Sequence, residues 1–155
     1  MNNQVPQRVA AQMTEQMQQA RQEIEAKYAA QYFAYSMLFS AVASAAPATS
    51  QMQIQADSHF MVISTSFFAF DTVTNAQDAA PLATIQLTNT GAGASIFDQA
   101  LPIMATFGTA SLPFILPTPR ILVANSVLTG SLTNGTTTNP ETFYLVFHGS
   151  KLFRQ

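Results

Sequence analysis

The chain has 155 residues, a length that holds one domain of ordinary size or a small domain plus an extension. Charged residues make up only 9% of it, against roughly 25% in an average soluble domain, so Ser, Thr, Asn and Gln cover its surface, and copies repel one another weakly, as suits assembly. The net charge of -2 without clustered Lys and Arg gives no electrostatic footprint for nucleic acid, and the lack of cysteine excludes a disulfide framework and a thiolate metal site.

In chain order, the first predicted element is a helix. From Val9 the apolar positions Met13, Met17, Ala20, Ile24 and Tyr28 recur at steps of three and four, with Glu23 and Lys27 able to pair one turn apart. Pro6 stands just ahead, where helices tolerate proline, and Pro47 stops the pattern, so one long helix is expected from about residue 7 to about residue 45. Its second half carries no charge between Lys27 and Asp57 and is apolar nearly all round, with Ser36, Ser40 and Ser44 four apart and Ala30 and Ala34 likewise. Such a segment must be buried. The choices are protein, which is the reading adopted, or lipid through residues 28–46, which Gln31, the serines and the tyrosines weaken; AVASAAPA mimics a signal-cleavage site, but what precedes it is too long and too acidic. Tyr28, Tyr32 and Tyr35 would share one helical face as an aromatic anchor.

From residue 48 onward the pattern is β. HFMVISTSFFAF is apolar on both parities, as in a central strand covered on both faces. PLATIQLTN sets Ala83, Ile85 and Leu87 against Thr84, Gln86 and Thr88; SVLTGSLTN repeats this loosely; ETFYLVFHG sets Phe143, Leu145 and Phe147 against Tyr144, Val146 and His148. Turn signals separate these runs at Gly91, Ala92 and Gly93, at Pro117, Thr118 and Pro119, and from Asn134 to Pro140. The expectation is a mainly β chain: an antiparallel, jelly-roll-like sandwich over residues 48–155, preceded by a helical extension over residues 1–47. Its core would hold Phe60, Phe67, Phe68, Phe70, Phe143 and Phe147.

The sequence offers little for catalysis. Asp57, Ser58 and His59 have the residue types of a hydrolase site, and His148 could meet them, but no nucleophile elbow or oxyanion loop accompanies any serine. Asp57, Asp71, Asp78 and Asp98 are scattered at strand ends, where they cap turns more readily than they hold a metal. Glu23 and Glu25 fall on different helical faces, Glu141 stands alone, and the glycines at 91 and 93 lack the lysine of a phosphate loop. Asn134, Gly135 and Thr136 fit a glycosylation acceptor. No catalytic residue, cofactor or metal ligand is assigned, and the chain is expected not to be an enzyme.

PRILVANSVLTGSLTN, residues 119–134, and FYLVFHGSKLF, residues 143–153, resemble the closing part of small β-rich structural proteins (minor capsid, cement or vertex) of bacteriophage virions. The residues that carry this are Pro119 and Arg120, then Ala124, Asn125 and Ser126, then Phe147, His148, Gly149, Ser150 and Lys151; ADSHFMV, residues 56–62, resembles the first core strand of that group. The resemblance implies a virion location, a sandwich fold, and a non-enzymatic structural role with itself and other virion proteins as partners. Ala34, Leu38 and Ala41 on the helix, with Lys151 and Arg154 on the tail, are the expected contact residues. Lys151 and Arg154 would reach acids on a neighbour or solvate an edge strand. The alternatives are a membrane-associated protein anchored by residues 28–46, or a receptor or carbohydrate-binding sandwich using the loops around residues 90–95 and 134–140.

Overall fold

The computed structural model describes residues 15, 18, 19, 22, 28–90, 94–97, 99–136 and 138–154. Among them run β1 (Tyr28–Val42), β2 (Pro47–Gln53), β3 (His59–Asp71), β4 (Gln77–Asp78), β5 (Ala83–Asn89), β6 (Ala94–Ser95) and β7 (Leu101–Pro102). A single helical turn, α1 (Ile103–Thr106), follows, then β8 (Gly108–Thr109), β9 (Phe114–Leu122), β10 (Val127–Asn134) and β11 (Glu141–Arg154).

Sheet I has the order β1-β11-β3, with β9, β8 and β4 along the far side of β3; sheet II has the order β2-β10-β5, with β6 and β7 beyond β5. All pairings are antiparallel except the short β3–β8 pair. The main strands alternate between the sheets, β1, β3, β9 and β11 in one and β2, β5 and β10 in the other, which is the winding of a jelly roll.

The long N-terminal helix is overturned: residues 28–42 form β1, the edge strand of sheet I among the described residues, so the sandwich takes in residues 28–46 that the sequence reading assigned to a helical extension. Of the amphipathic stretch before them only Glu15, Gln18, Gln19 and Gln22 are described, all four helical and exposed; the rest lies outside the described residues. The reason for β1 is an alternation of large and small side chains. Tyr35, Met37 and Phe39 point into the core, and Ala34, Ser36 and Ser40 point out. A spacing of four, as in the serine stripe, is two strand periods as well as about one helical turn. Burial of the aromatic parity against sheet II decides between them, overriding the alanines' helix preference.

β5, β10 and β11 lie close to where the alternation places them, whereas β9 runs through Pro117, Thr118 and Pro119, where a turn was expected. Ala83, Ile85 and Leu87 of β5, Leu128 and Leu132 of β10, and Phe143, Leu145 and Phe147 of β11 are all buried. Between the β10 leucines sits Gly130, where a Cβ would lie 2.6 Å from Met37 Sδ and 2.9 Å from Phe39 Cζ. The missing side chain lets β1 and β10 close on each other across the sandwich. Phe60, Phe67, Phe143 and Phe147 join the core as expected, but Phe68 is 39% exposed and Phe70 half-buried.

Near the end of sheet I, Glu141 is buried, and its Oε2 has no hydrogen-bond partner among the described residues. Burial first, then the nearby Asp78 and Asp71 carboxylates, push its pKa up to about 7 from 4.5. The folded state therefore holds a proton there that the unfolded chain releases, so this group's stabilisation is complete below about pH 4.5 and lost as pH rises to about 7. Glu141→Gln, which mimics the protonated carboxyl, is expected to unfold at a higher temperature than the parent at pH 8 and to flatten this slope; thermal unfolding of both at pH 5 and pH 8 checks it. Asp71 acts in the opposite sense. The Asn139 amide and the backbone N–H of Thr74 and Val73 hold it below the usual carboxylate range, so its contribution disappears only as pH falls into the acid range.

Candidate assembly interface

Alternation along β1 divides the expected contact residues. Ala34 and Leu38 stand together on the outer face of sheet I, both exposed. Ala41 lies at a β-bulge where Phe39 faces Phe143 but Val42 faces Glu141; its φ of 48° is left-handed, and its N–H donates to Thr142 Oγ1 at 3.0 Å. It ends the regular edge and is not part of the same face. The backbone of Arg154 pairs with Tyr28.

Lys151 lies inside sheet I and not on a free tail. Neither a reach toward a neighbour nor protection of an edge fits, because β11 lies between β1 and β3 and the Lys151 side chain is 8% exposed. Its Nζ donates to Gln55 Oε1, pairs with Asp57 at 3.4 Å and sits 4.6 Å from the centroid of the Phe33 ring. The ring is the low face of an edge-to-face cluster with Tyr35 and Phe60, whose centroids lie 4.7 Å apart. Asp57 is 55% exposed and stays hydrated whether or not the lysine is present. Lys151→Met keeps the buried stem, so it is expected to cost no more than about 1 kcal/mol in urea unfolding.

The outer face of sheet I is where the sequence reading of β3 fails informatively. A strand apolar on both parities is expected to be covered on both faces, yet Ile63 and Phe68 are each 39% exposed. The ladders align Leu38 of β1 with Tyr144 of β11 and Tyr144 with Phe68 of β3, and Tyr144 stacks on Phe70 at 6.4 Å between centroids. Tyr32 at the β1 end is 70% exposed, and Ile115 and Ile121 of β9 are 71% and 51% exposed. No charged side chain among the described residues stands on this face between Tyr32 and Phe68. At its border β1, 15 residues long, pairs only with β11 among the described residues, so the backbone groups on its other side have no strand to bond.

Across the middle of the face runs a hydrogen-bonded brace of three strands. His148 Nε2 lies 2.9 Å from Ser66 Oγ, and its Nδ1 lies 3.2 Å from the Tyr32 hydroxyl. A serine meets a histidine here, but the third member is a phenol and not a carboxylate that could stabilise an imidazolium. The Asp57, Ser58 and His59 set is not assembled as a triad: Ser58 donates to Asp57 at 2.9 Å, while His59 Nδ1 accepts from the Ala124 N–H at 3.1 Å. His59 faces Leu152 and His148 faces Ser64, so the two imidazoles sit apart along the ladder. Among the described residues no group of three His, Asp or Glu could hold a metal; Asp71 and Asp78 cap turns, and Asp98 lies outside the described residues.

The remaining candidates gain no support from the described residues. Tyr32 and Tyr35 point to opposite faces of β1, which breaks the aromatic anchor, and no helix among the described residues is long and apolar enough to cross a membrane. Asn134 is fully buried with its Nδ2 donating to Val42 O at 3.0 Å, so no glycan can be attached to it in the folded chain. Thr136 and Asn139 are tied to Asn134 and Asp71, and residues 91–93 of the other loop lie outside the described residues.

No protein-family model matches the chain, and no curated protein matches it. Among solved structures it is similar to a chain of the capsid asymmetric unit of cyanophage Pam1, with a TM-score of 0.46 and 16% identity over 81% of this chain and 86% of that one. It is also similar to dimeric latent PorU from Porphyromonas gingivalis, with a TM-score of 0.38 and 9% identity over 83% of this chain but 13% of that one. Both likenesses are too distant to decide function, which rests on the molecule's own surface.

Proposed function

We propose that the chain is a non-enzymatic structural protein of a phage virion, held in place by burial of the outer face of sheet I and by strand pairing along β1. The observation that carries this is the apolar face from Tyr32 through Leu38, Tyr144 and Phe68, with no charged side chain among the described residues, exposed beside an edge of β1 that no described strand pairs. Isolated surface leucines need no explanation, but a contiguous apolar face on a sheet with a bare edge marks a contact site. The mechanism is removal of apolar area from water, with edge hydrogen bonds and shape fixing the register. The scarcity of charge suits it: few groups must be desolvated when copies or neighbouring virion proteins meet. The resemblance of residues 119–134 and 143–153 to phage structural proteins points the same way. Mass spectrometry of gradient-purified particles from the source that encodes the chain tests the role. Its peptides are expected in the particle fraction in amounts comparable to other structural proteins, and their confinement to the soluble fraction would overturn the proposal.

A further inference from the structure

On the flank opposite β1 the two sheets do not close. In the ladder with β3, Arg120 of β9 faces Val62 and Ile115 faces Ser64, so residues 116–119 stand opposite Ile63 alone. Pro117 and Pro119 in that stretch have no N–H to bond β3, and the strand bows outward. Beneath the bow lies a cleft of about 330 Å³ between β9, α1 and the strands of sheet II, within the roughly 300–1,000 Å³ of small-molecule sites.

The cleft has an apolar interior and a polar rim. Val62, Leu87, Phe107, Leu122, Leu128 and Phe147 line its depth, all buried. The two hydroxyls inside are committed as donors: Thr65 to Thr106 O at 2.8 Å, and Thr106 to the Pro102 and Ile103 carbonyls at 3.3 and 3.4 Å. The interior therefore has no free donor for a polar ligand's oxygen, and a polar group brought there would lose its hydration uncompensated. At the rim stand Thr118 and Arg120, both exposed. Arg120 makes no ion pair with a described residue: Asp71, Asp78 and Glu141 lie toward the other end of β3, and Asp57 pairs with Lys151. A guanidinium that no described carboxylate engages, at the rim of an apolar slot, matches one ligand chemistry, an alkyl chain ending in a carboxylate, since the planar fork takes both carboxylate oxygens.

We propose that this cleft binds a medium-chain fatty acid, its alkyl chain between the sheets and its carboxylate on Arg120. The cleft opens on the β9 flank, across sheet I from the β1 edge. Titration calorimetry of the full chain with decanoate, kept below its micelle concentration, tests it, with 1-decanol as the uncharged comparison. Saturable one-to-one binding of decanoate is expected, weakened at least about tenfold by Arg120→Gln while 1-decanol binding is unchanged. Ala105→Phe, an exposed lining residue enlarged to fill the cleft, is expected to abolish binding of both ligands without loss of fold. No saturable decanoate binding, or binding that neither substitution changes, would overturn the proposal.

Discussion

Gly149→Val is expected to abolish the cooperative fold. At this position β11 steps past a bulge in β3, with His148 facing Ser64 and Gly149 facing Val62, so that Ile63 has no partner. The strands approach so closely that a Cβ on residue 149 would lie 1.9 Å from the Met61 carbonyl oxygen and 3.1 Å from Phe60 Cζ. Backbone cannot move aside as a flexible side chain would, and β3 and β11 are the two interior strands of sheet I. Separating them exposes the core on both, a loss expected to exceed about 5 kcal/mol, the lower end of a domain's whole stability. Gly149→Ala meets the same oxygen and is expected to lose at least about 3 kcal/mol. Urea unfolding followed by circular dichroism checks both. A cooperative transition for Gly149→Val at the parent's midpoint would show that the close approach is not as described.

Leu38→Asp is expected to do the reverse, leaving the fold and removing assembly. Leu38 is 45% exposed on the outer face and belongs to the row Leu38, Tyr144, Phe68, so a carboxylate there stays hydrated in the isolated chain. Once a neighbour covers the row, the same carboxylate is buried without a partner, which costs about 3–5 kcal/mol and weakens association by a hundredfold or more. Sedimentation velocity over a range of concentrations, beside thermal unfolding, separates the two effects. Association as tight as the parent's would remove this row from the interface.

Much of the sandwich was legible in single strands. β5, β10 and β11 each bury one parity against the other, and period-two alternation locates such strands from residues alone. β1 was misread because its apolar residues occupy both parities and its serines recur at four, a spacing that strand and helix share. The signal that separates them was present: at positions 33, 35, 37 and 39 the side chains are large, and at 34, 36 and 40 they are small. Leu38 interrupts that rule, and it is an exposed residue of the outer face.

The contact residues divided along the same line. Ala34 and Leu38, expected on a helix, stand on one side of a strand, because four residues return to the same face in both. Lys151 was misplaced because a lysine near the end of a chain suggests solvent, whereas its row is fixed by Phe147, Gly149 and the burial of that parity under Phe33. The Ser66, His148 and Tyr32 brace joins three strands far apart in sequence, so no local spacing could reveal it. Neither could the β9 cleft, although Pro117 and Pro119, read as a turn, were the residues that open it.

Hydrogen–deuterium exchange, comparing the chain dilute and at a concentration where it associates, bears most directly on β1 and the outer face of sheet I as the assembly surface. Amides in residues 28–40 are expected to gain protection on association, while those of β10, already paired on both sides, are expected to stay unchanged. Association that leaves residues 28–40 exchanging as they do in the dilute chain would contradict the assignment of this edge and face.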